Sequence, residues 1–181
     1  MRSRRARNTF AKWLDSRGLP VAAAVAAALL LDNWCAVARA AKLRHMVPMR
    51  DGTRLATDVY LPGGGEGKYP VVFMRGPYGK GFGAGLALGV NGQGCALVVQ
   101  DMRGRFDSEG SDAVVFMNDG WGTRRDGHDS LAWIAKQPWC GGRVATRGGS
   151  ALGITQNMLA PGAPDVLKAQ HVSVAFSDMY S

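Results

Sequence analysis

Arg143-Val144-Ala145-Thr146-Arg147-Gly148-Gly149-Ser150-Ala151-Leu152-Gly153 is the stretch that decides how this chain folds. A short strand-like run, Arg143 to Thr146, leads through Arg147 into two glycines, a serine and then a segment of helical composition, Ala151 to Leu159. A strand that turns sharply into a helix brings backbone against backbone, so the positions flanking the turn must be small. Such a turn raises its serine above the carboxyl edge of a sheet. The helix behind it aims unpaired N–H groups and the positive end of its dipole at the same point. Ser150 is therefore a candidate nucleophile on an elbow-shaped turn. The pattern here is G-x-S-x-x-G rather than G-x-S-x-G, because Leu152 stands where the second glycine belongs and Gly153 follows it. The other use of a serine in this setting is to cap the helix that it opens.

Upstream, Asp126 to Gln137 predicts a helix: Asp126 or Asp129 caps its start, Leu131, Ile134 and Ala135 mark an apolar face, and Pro138 ends it. Tyr69 to Met74 and Cys95 to Gln100 are short continuous apolar runs, which suit buried parallel strands. Leu43 to Met49 and Arg54 to Leu61 flank Asp51-Gly52 and predict an antiparallel hairpin. Residues 76–94 contain Gly81-Phe82-Gly83-Ala84-Gly85 but read as a flexible loop, because a dinucleotide fingerprint opens its helix directly after the strand and here Pro77 and Tyr78 intervene. Residues 107–125 read as a loop or lid, and 166–176 as one more strand. In the turn Asp101 to Arg105, Asp101 and Arg103 are expected to form a structural ion pair or a turn bond, and neither is read as catalytic. Strands alternating with helices predict an α/β fold, a mostly parallel sheet with an N-terminal antiparallel hairpin. Its β-to-α turns gather at one edge, and Tyr78, Asp101 and Ser150 all fall there.

The chain has 181 residues, 46% of them hydrophobic and 20% charged, which fits a single domain. Its net charge of +8 belongs mostly to residues 1–40, which carry +5, leaving +3 for residues 41–181 and no basic stripe interleaved with aromatics. Nucleic acid is excluded as a partner on that footing. Residues 1–40 start with Arg2, Arg4, Arg5 and Arg7, continue with an apolar run from Val21 to Leu31 and reach Ala38-Arg39-Ala40, a secretory-signal anatomy that predicts export to the periplasm or beyond. The alternative is an amphipathic helix of a cytoplasmic protein. The run is too short for a stable membrane span, which takes ~20 apolar residues. The domains expected are thus a leader, 1–40, and a partial α/β domain, 41–181. Of three cysteines, Cys35 lies in the leader, and Cys95 and Cys140 are a possible pair or two free thiols. Neither sits in a metal-ligand cluster, and no metal or organic cofactor is expected.

Further motifs carry a resemblance over about residues 43–181. Met49 to Leu55 with Asp58-Val59-Tyr60, then Arg75-Gly76-Pro77-Tyr78-Gly79-Lys80, resemble the opening of the α/β-hydrolases related to cocaine esterase and the Xaa-Pro dipeptidyl-peptidases. Val99 to Arg105 with Ser108-Glu109-Gly110, and Asp126-Gly127-His128-Asp129 running through Trp133 to Gln137-Pro138-Trp139-Cys140-Gly141-Gly142-Arg143-Val144, are similar to the same family in the same order. Gly148 to Gln156 resembles its elbow.

The resemblance implies an α/β-hydrolase fold and a serine hydrolase acting on a small ester or peptide through an acyl-enzyme. Ser150 would be the nucleophile, the Ala151 backbone N–H one oxyanion donor and the Tyr78 hydroxyl the other; family members often have Tyr where this chain has Ala151, a departure that bears on substrate preference. The alternative for Tyr78 is a loop aromatic covering the core. In this fold the acid and the histidine follow the nucleophile in the chain. After Ser150 come only Asp165, Asp178 and His171; Asp165 and His171 are read as a false pair, one in a turn and one mid-strand, and His45 and His128 match no catalytic position. The expectation is an N-terminal portion of a hydrolase, ending after the nucleophile helix and the next strand. The alternative is a non-catalytic exported binding protein that retains a hydrolase-like cleft.

Overall fold

Asp51 begins the fold by bending the chain back on itself: its carboxylate accepts from the Thr53 N–H at 3.1 Å, Gly52 adopts φ 84°, and Met49 donates to the Thr53 carbonyl at 2.8 Å. The strands either side, β1 (Ala41–Pro48) and β2 (Arg54–Leu61), pair antiparallel along their whole length. The computed structural model describes residues 41–111, 116 and 118–176. The expected leader and the last residues of the chain lie outside the described residues.

After the hairpin come β3 (Tyr69–Gly76), α1 (Gly83–Gly92), β4 (Ala96–Asp101), α2 (Asp126–Ala135), β5 (Cys140–Gly149), α3 (Ala151–Leu159) and β6 (Leu167–Ser173). Sheet order is β1-β2-β4-β3-β5-β6. The last four of these strands run parallel to one another and the hairpin is added antiparallel through β2 and β4. This is the α/β-hydrolase-type sheet expected, hairpin included.

Alternation along the strands separates two cores. Val59, Leu61, Val71, Phe73, Ala96 and Val98 point to one face and pack with Leu131 and Ile134 of α2. Tyr60, Met74, Leu97 and Val99 point to the other and meet Ala87 of α1 and Leu152 of α3. Burying such side chains contributes roughly 1.5–3 kcal/mol each, and helices on both faces are what a parallel sheet requires. Cys140 belongs to the first core, Cys95 is partly exposed, and neither is in a disulfide. No helix among the described residues is long and apolar enough to cross a membrane.

Two expectations fail here for physical reasons. Residues 83–92 are a helix, not part of a flexible loop. β3 and β4 are parallel neighbours and so need a crossover connection, and the missing side chain at Gly83 lets the helix start directly on the sheet: a Cβ there would lie 2.7 Å from Val99 and 3.0 Å from Tyr60. Tertiary packing overrides weak helix propensity. Second, neither Asp126 nor Asp129 caps α2. Arg125 takes the cap position at φ 44°, and both carboxylates are engaged in ion pairs.

Candidate active site

The turn after β5 places Ser150 at φ 53°, ψ −126°, a conformation unfavourable for a residue with a side chain. Close contact holds it there. The Ser150 N–H donates to the Ser173 carbonyl at 3.0 Å, and the Ser150 carbonyl accepts from Gly153 and Ile154 at 2.8 and 2.9 Å to open α3. A Cβ on Gly149 would stand 2.8 Å from Ser173 Oγ, and one on Gly153 2.6 Å from Ala175 Cβ, so the elbow closes only because both are glycine.

Ser150 occupies the cap position of α3, yet its side chain makes no capping bond, and the residue is exposed. Its Oγ has no hydrogen-bond partner among the described residues. Beside it, the Ala151 N–H begins the first turn, where no helical carbonyl lies four residues back to accept it. Donors of this kind, at the positive end of a helix, favour negative charge.

Gln156 braces the elbow from behind. Its side chain accepts from Thr146 Oγ1 at 2.9 Å and donates to the Gly148 carbonyl at 3.1 Å and the Leu152 carbonyl at 2.9 Å. Thr155 Oγ1 donates to the Arg75 carbonyl at 3.0 Å and so fastens α3 to β3. Gln156 closes the elbow motif in the sequence, but nothing in that motif shows that it supports the turn.

Tyr78 lies two residues beyond the end of β3, the parallel neighbour of β5, and therefore on the edge that carries Ser150. It is 60% exposed and its hydroxyl has no bond among the described residues, so it does not cover the core. The loop that carries it is anchored by Asp101, fully buried at the end of β4, which accepts from the Lys80 N–H at 2.5 Å and from Lys80 Nζ at 3.1 Å. The expected Asp101–Arg103 pair does not form. Arg103 reaches away to Asp126 at 2.6 Å and to Asp51 at 2.8 Å.

Below this edge, on the α2 face, lies a buried polar cluster. Arg75 pairs with Asp119, stands 3.5 Å from Asp126, and donates to Gln100 at 3.2 Å. Gln100 in turn donates to Thr57 at 3.0 Å and accepts from Ser130 at 2.8 Å. Hydrogen bonds to Asp126 and then Asp51 raise Arg103 further above its ordinary value against the opposing effect of burial.

The histidines stand apart from the serine. His171 lies in β6 opposite Arg147, while Asp165 precedes the first residue of β6 and so sits at the far edge of the sheet. No hydrogen bond joins Asp165, His171 and Ser150 among the described residues. His45 packs on Trp133 at 5.0 Å between ring centroids, and burial lowers its pKa. His128 Nδ1 is 3.4 Å from both Arg50 Nη2 and Asp129 Oδ1.

Comparison with known proteins places this arrangement in context. The X-Pro dipeptidyl-peptidase (S15 family) model matches residues 51–181. Cocaine esterase of Rhodococcus sp. (strain MB1 Bresler) is 42% identical over 141 residues, which cover 75% of this chain and 24% of that protein. Among solved structures, an aminopeptidase of a marine sediment archaeon, Thaumarchaeota archaeon, superposes with a TM-score of 0.64 at 29% identity over 73% of this chain and 25% of that one. An α-amino acid ester hydrolase gives 0.63 at 29% identity over the same 73% and 25%. The chain spans about a quarter of the length of each of these relatives.

Proposed function

This chain belongs to the S15 family of X-Pro dipeptidyl-peptidases, and from that premise we propose that it carries the nucleophile and oxyanion hole of an acyl-transfer site. Ser150 Oγ attacks the carbonyl of a small ester or peptide, the leaving alcohol or amine departs, and water later releases the acyl group. The Ala151 N–H and the Tyr78 O–H donate to the tetrahedral oxyanion. The observation that carries this reading is the exposed Ser150, held at φ 53° with its Oγ uncommitted at a helix N-terminus. A turn that serves only to cap a helix has no use for that strain, which costs on the order of 1–3 kcal/mol.

A serine needs a base to become a good nucleophile. Asp165, across the sheet from Ser150, is not assigned the acid of a triad, and none of His45, His128 and His171 is assigned its base. We also read residues 1–40 as an export signal, which N-terminal sequencing of protein from its host tests: a mature chain starting at Met1 or Arg2 overturns it.

Labelling with a fluorophosphonate probe, alongside p-nitrophenyl ester turnover, tests the site. The native protein should label and Ser150→Ala should not; Tyr78→Phe should lower kcat by ~10²–10³, the usual effect of losing one oxyanion donor. Equal labelling of the Ser150→Ala variant overturns the nucleophile. Absence of labelling in the native protein favours a binding protein that retains a hydrolase-like cleft.

A further inference from the structure

The Tyr78 hydroxyl has no bond among the described residues and its ring is mostly exposed, so the direction of the side chain is governed by its backbone. That backbone has few supports. Gly79 turns at φ 86°, and the face where it would carry a Cβ is filled by the Phe106 ring, within 3.2 Å of that position. Among the described residues Lys80 then makes the strongest anchor: through its N–H and its Nζ it holds the two oxygens of Asp101, a carboxylate with no exposed surface. The Lys80 ammonium also pairs with Asp107, and the Asp107 N–H approaches Asp101 Oδ2 at 3.5 Å. One carboxylate thus gathers the Tyr78 loop and the loop after β4, the loop that carries Phe106.

We infer that Lys80 and Asp101 are positioning residues for Tyr78, a clamp that presents its hydroxyl to the carbonyl oxygen of the substrate. This rests on the oxyanion role proposed for Tyr78. Neither residue touches substrate. Asp101, Asp107 and Lys80 carry a combined charge of −1, so the clamp adds no cation to the oxyanion site and acts through geometry. Burial works against the Lys80 charge, but the hydrogen bonds that its ammonium donates to Asp107 and Asp101 outweigh it and raise its pKa above the ordinary value.

The natural full-length protein provides two readouts, amide hydrogen exchange and ester turnover. In Lys80→Met, exchange should quicken over residues 77–83 and stay unchanged in β1 and β2. kcat should fall by about ten- to a hundredfold, the scale of a misplaced group, with KM nearly constant. Lys80→Arg should restore much of both, and in a Tyr78→Phe background Lys80→Met should cost little more. Unchanged exchange over 77–83, or loosening throughout the sheet, overturns the clamp. So does a full further loss of kcat on top of Tyr78→Phe. If instead Lys80→Met loosens the loop while Tyr78→Phe turns over like the native protein, Tyr78 is not an oxyanion donor, and that failure belongs to the functional reading rather than to the anchor.

Discussion

The elbow and the rim around it share one sheet edge and are built on opposite principles. The elbow, β5 through α3, is closed by contact: Gly149 and Gly153 press against Ser173 and Ala175, and Gln156 reaches back to Leu152, Gly148 and Thr146. Most of these partners are near in sequence, apart from the Thr155 Oγ1 bond to the Arg75 carbonyl, which spans 80 residues. The rim is closed by charge across long separations: Arg50 to Asp129 spans 79 residues, Arg54 to Glu109 spans 55, and Arg103 to Asp51 spans 52. Steric closure gives a reactive side chain one geometry. Ion pairs tie loops to β2 and α2 across long separations, and they leave the stability of those loops dependent on pH and salt.

The difference should be most visible where a rim pair is buried. In Arg103→Met, Asp126 loses its main partner with no exposed surface of its own and keeps Arg75 at 3.5 Å, a buried charge left short of its pair, which costs up to about 3–5 kcal/mol. Urea unfolding would measure it, and a loss below 1 kcal/mol would mean that the rim is ornamental to the fold. On the elbow side, Gly153→Ala should cost about 1–3 kcal/mol by overpacking against Ala175 and the Ser173 carbonyl. That loss should be independent of ionic strength. A salt-dependent loss would erase the contrast.

The same contrast explains what was legible in the sequence. Gly148-Gly149-Ser150, the apolar runs of β3 and β4 and the Asp51-Gly52 turn are local signals, and each led to the right element. The helix at Gly83–Gly92 was missed because its glycines read as a loop; the reason for a helix lies in the crossover between two parallel strands and in the flat approach to Val99, neither of which is local. Arg103 was expected to pair with Asp101, its close neighbour, and instead joins the hairpin turn to α2. Lys80 stood at the end of a recognised motif, but its pairing with Asp101 depends on the side-by-side placement of β3 and β4. Ion pairs across 20 to 80 residues leave no periodicity to read.

Ser150 itself offers a smaller test. Glycine accepts φ 53° without strain, so Ser150→Gly should relieve about 1–3 kcal/mol while adding roughly 0.5–1 kcal/mol of backbone entropy to the unfolded chain. The net should be a protein about 1 kcal/mol more stable that no longer labels with fluorophosphonate. A destabilised variant would mean that the serine side chain supports the turn, contrary to its free Oγ.

The smallest effect belongs to Asp51, at the exposed end of the rim. Hydrogen bonds from Arg103, helped by the Thr53 N–H, hold its carboxyl at about 2. In the unfolded chain the same group titrates near ~3.9. Between those values the unfolded state binds the proton and the folded state does not, so stability falls as the pH drops through that window and is fully present above it. Asp51→Asn removes this contribution: the variant should be less stable at neutral pH, and the gap between the two proteins should shrink as the pH falls from about 4 to 2. The side chain is 37% exposed, so solvent and salt screen the pair and the gap should narrow further in high salt. Thermal melts across pH 2–7, with Gly153→Ala in parallel, measure it. A gap that stays constant down to the lowest pH would show that Asp51 acts through the shape of its turn rather than its charge, and the hairpin would then belong with the elbow, closed by contact, and not with the rim.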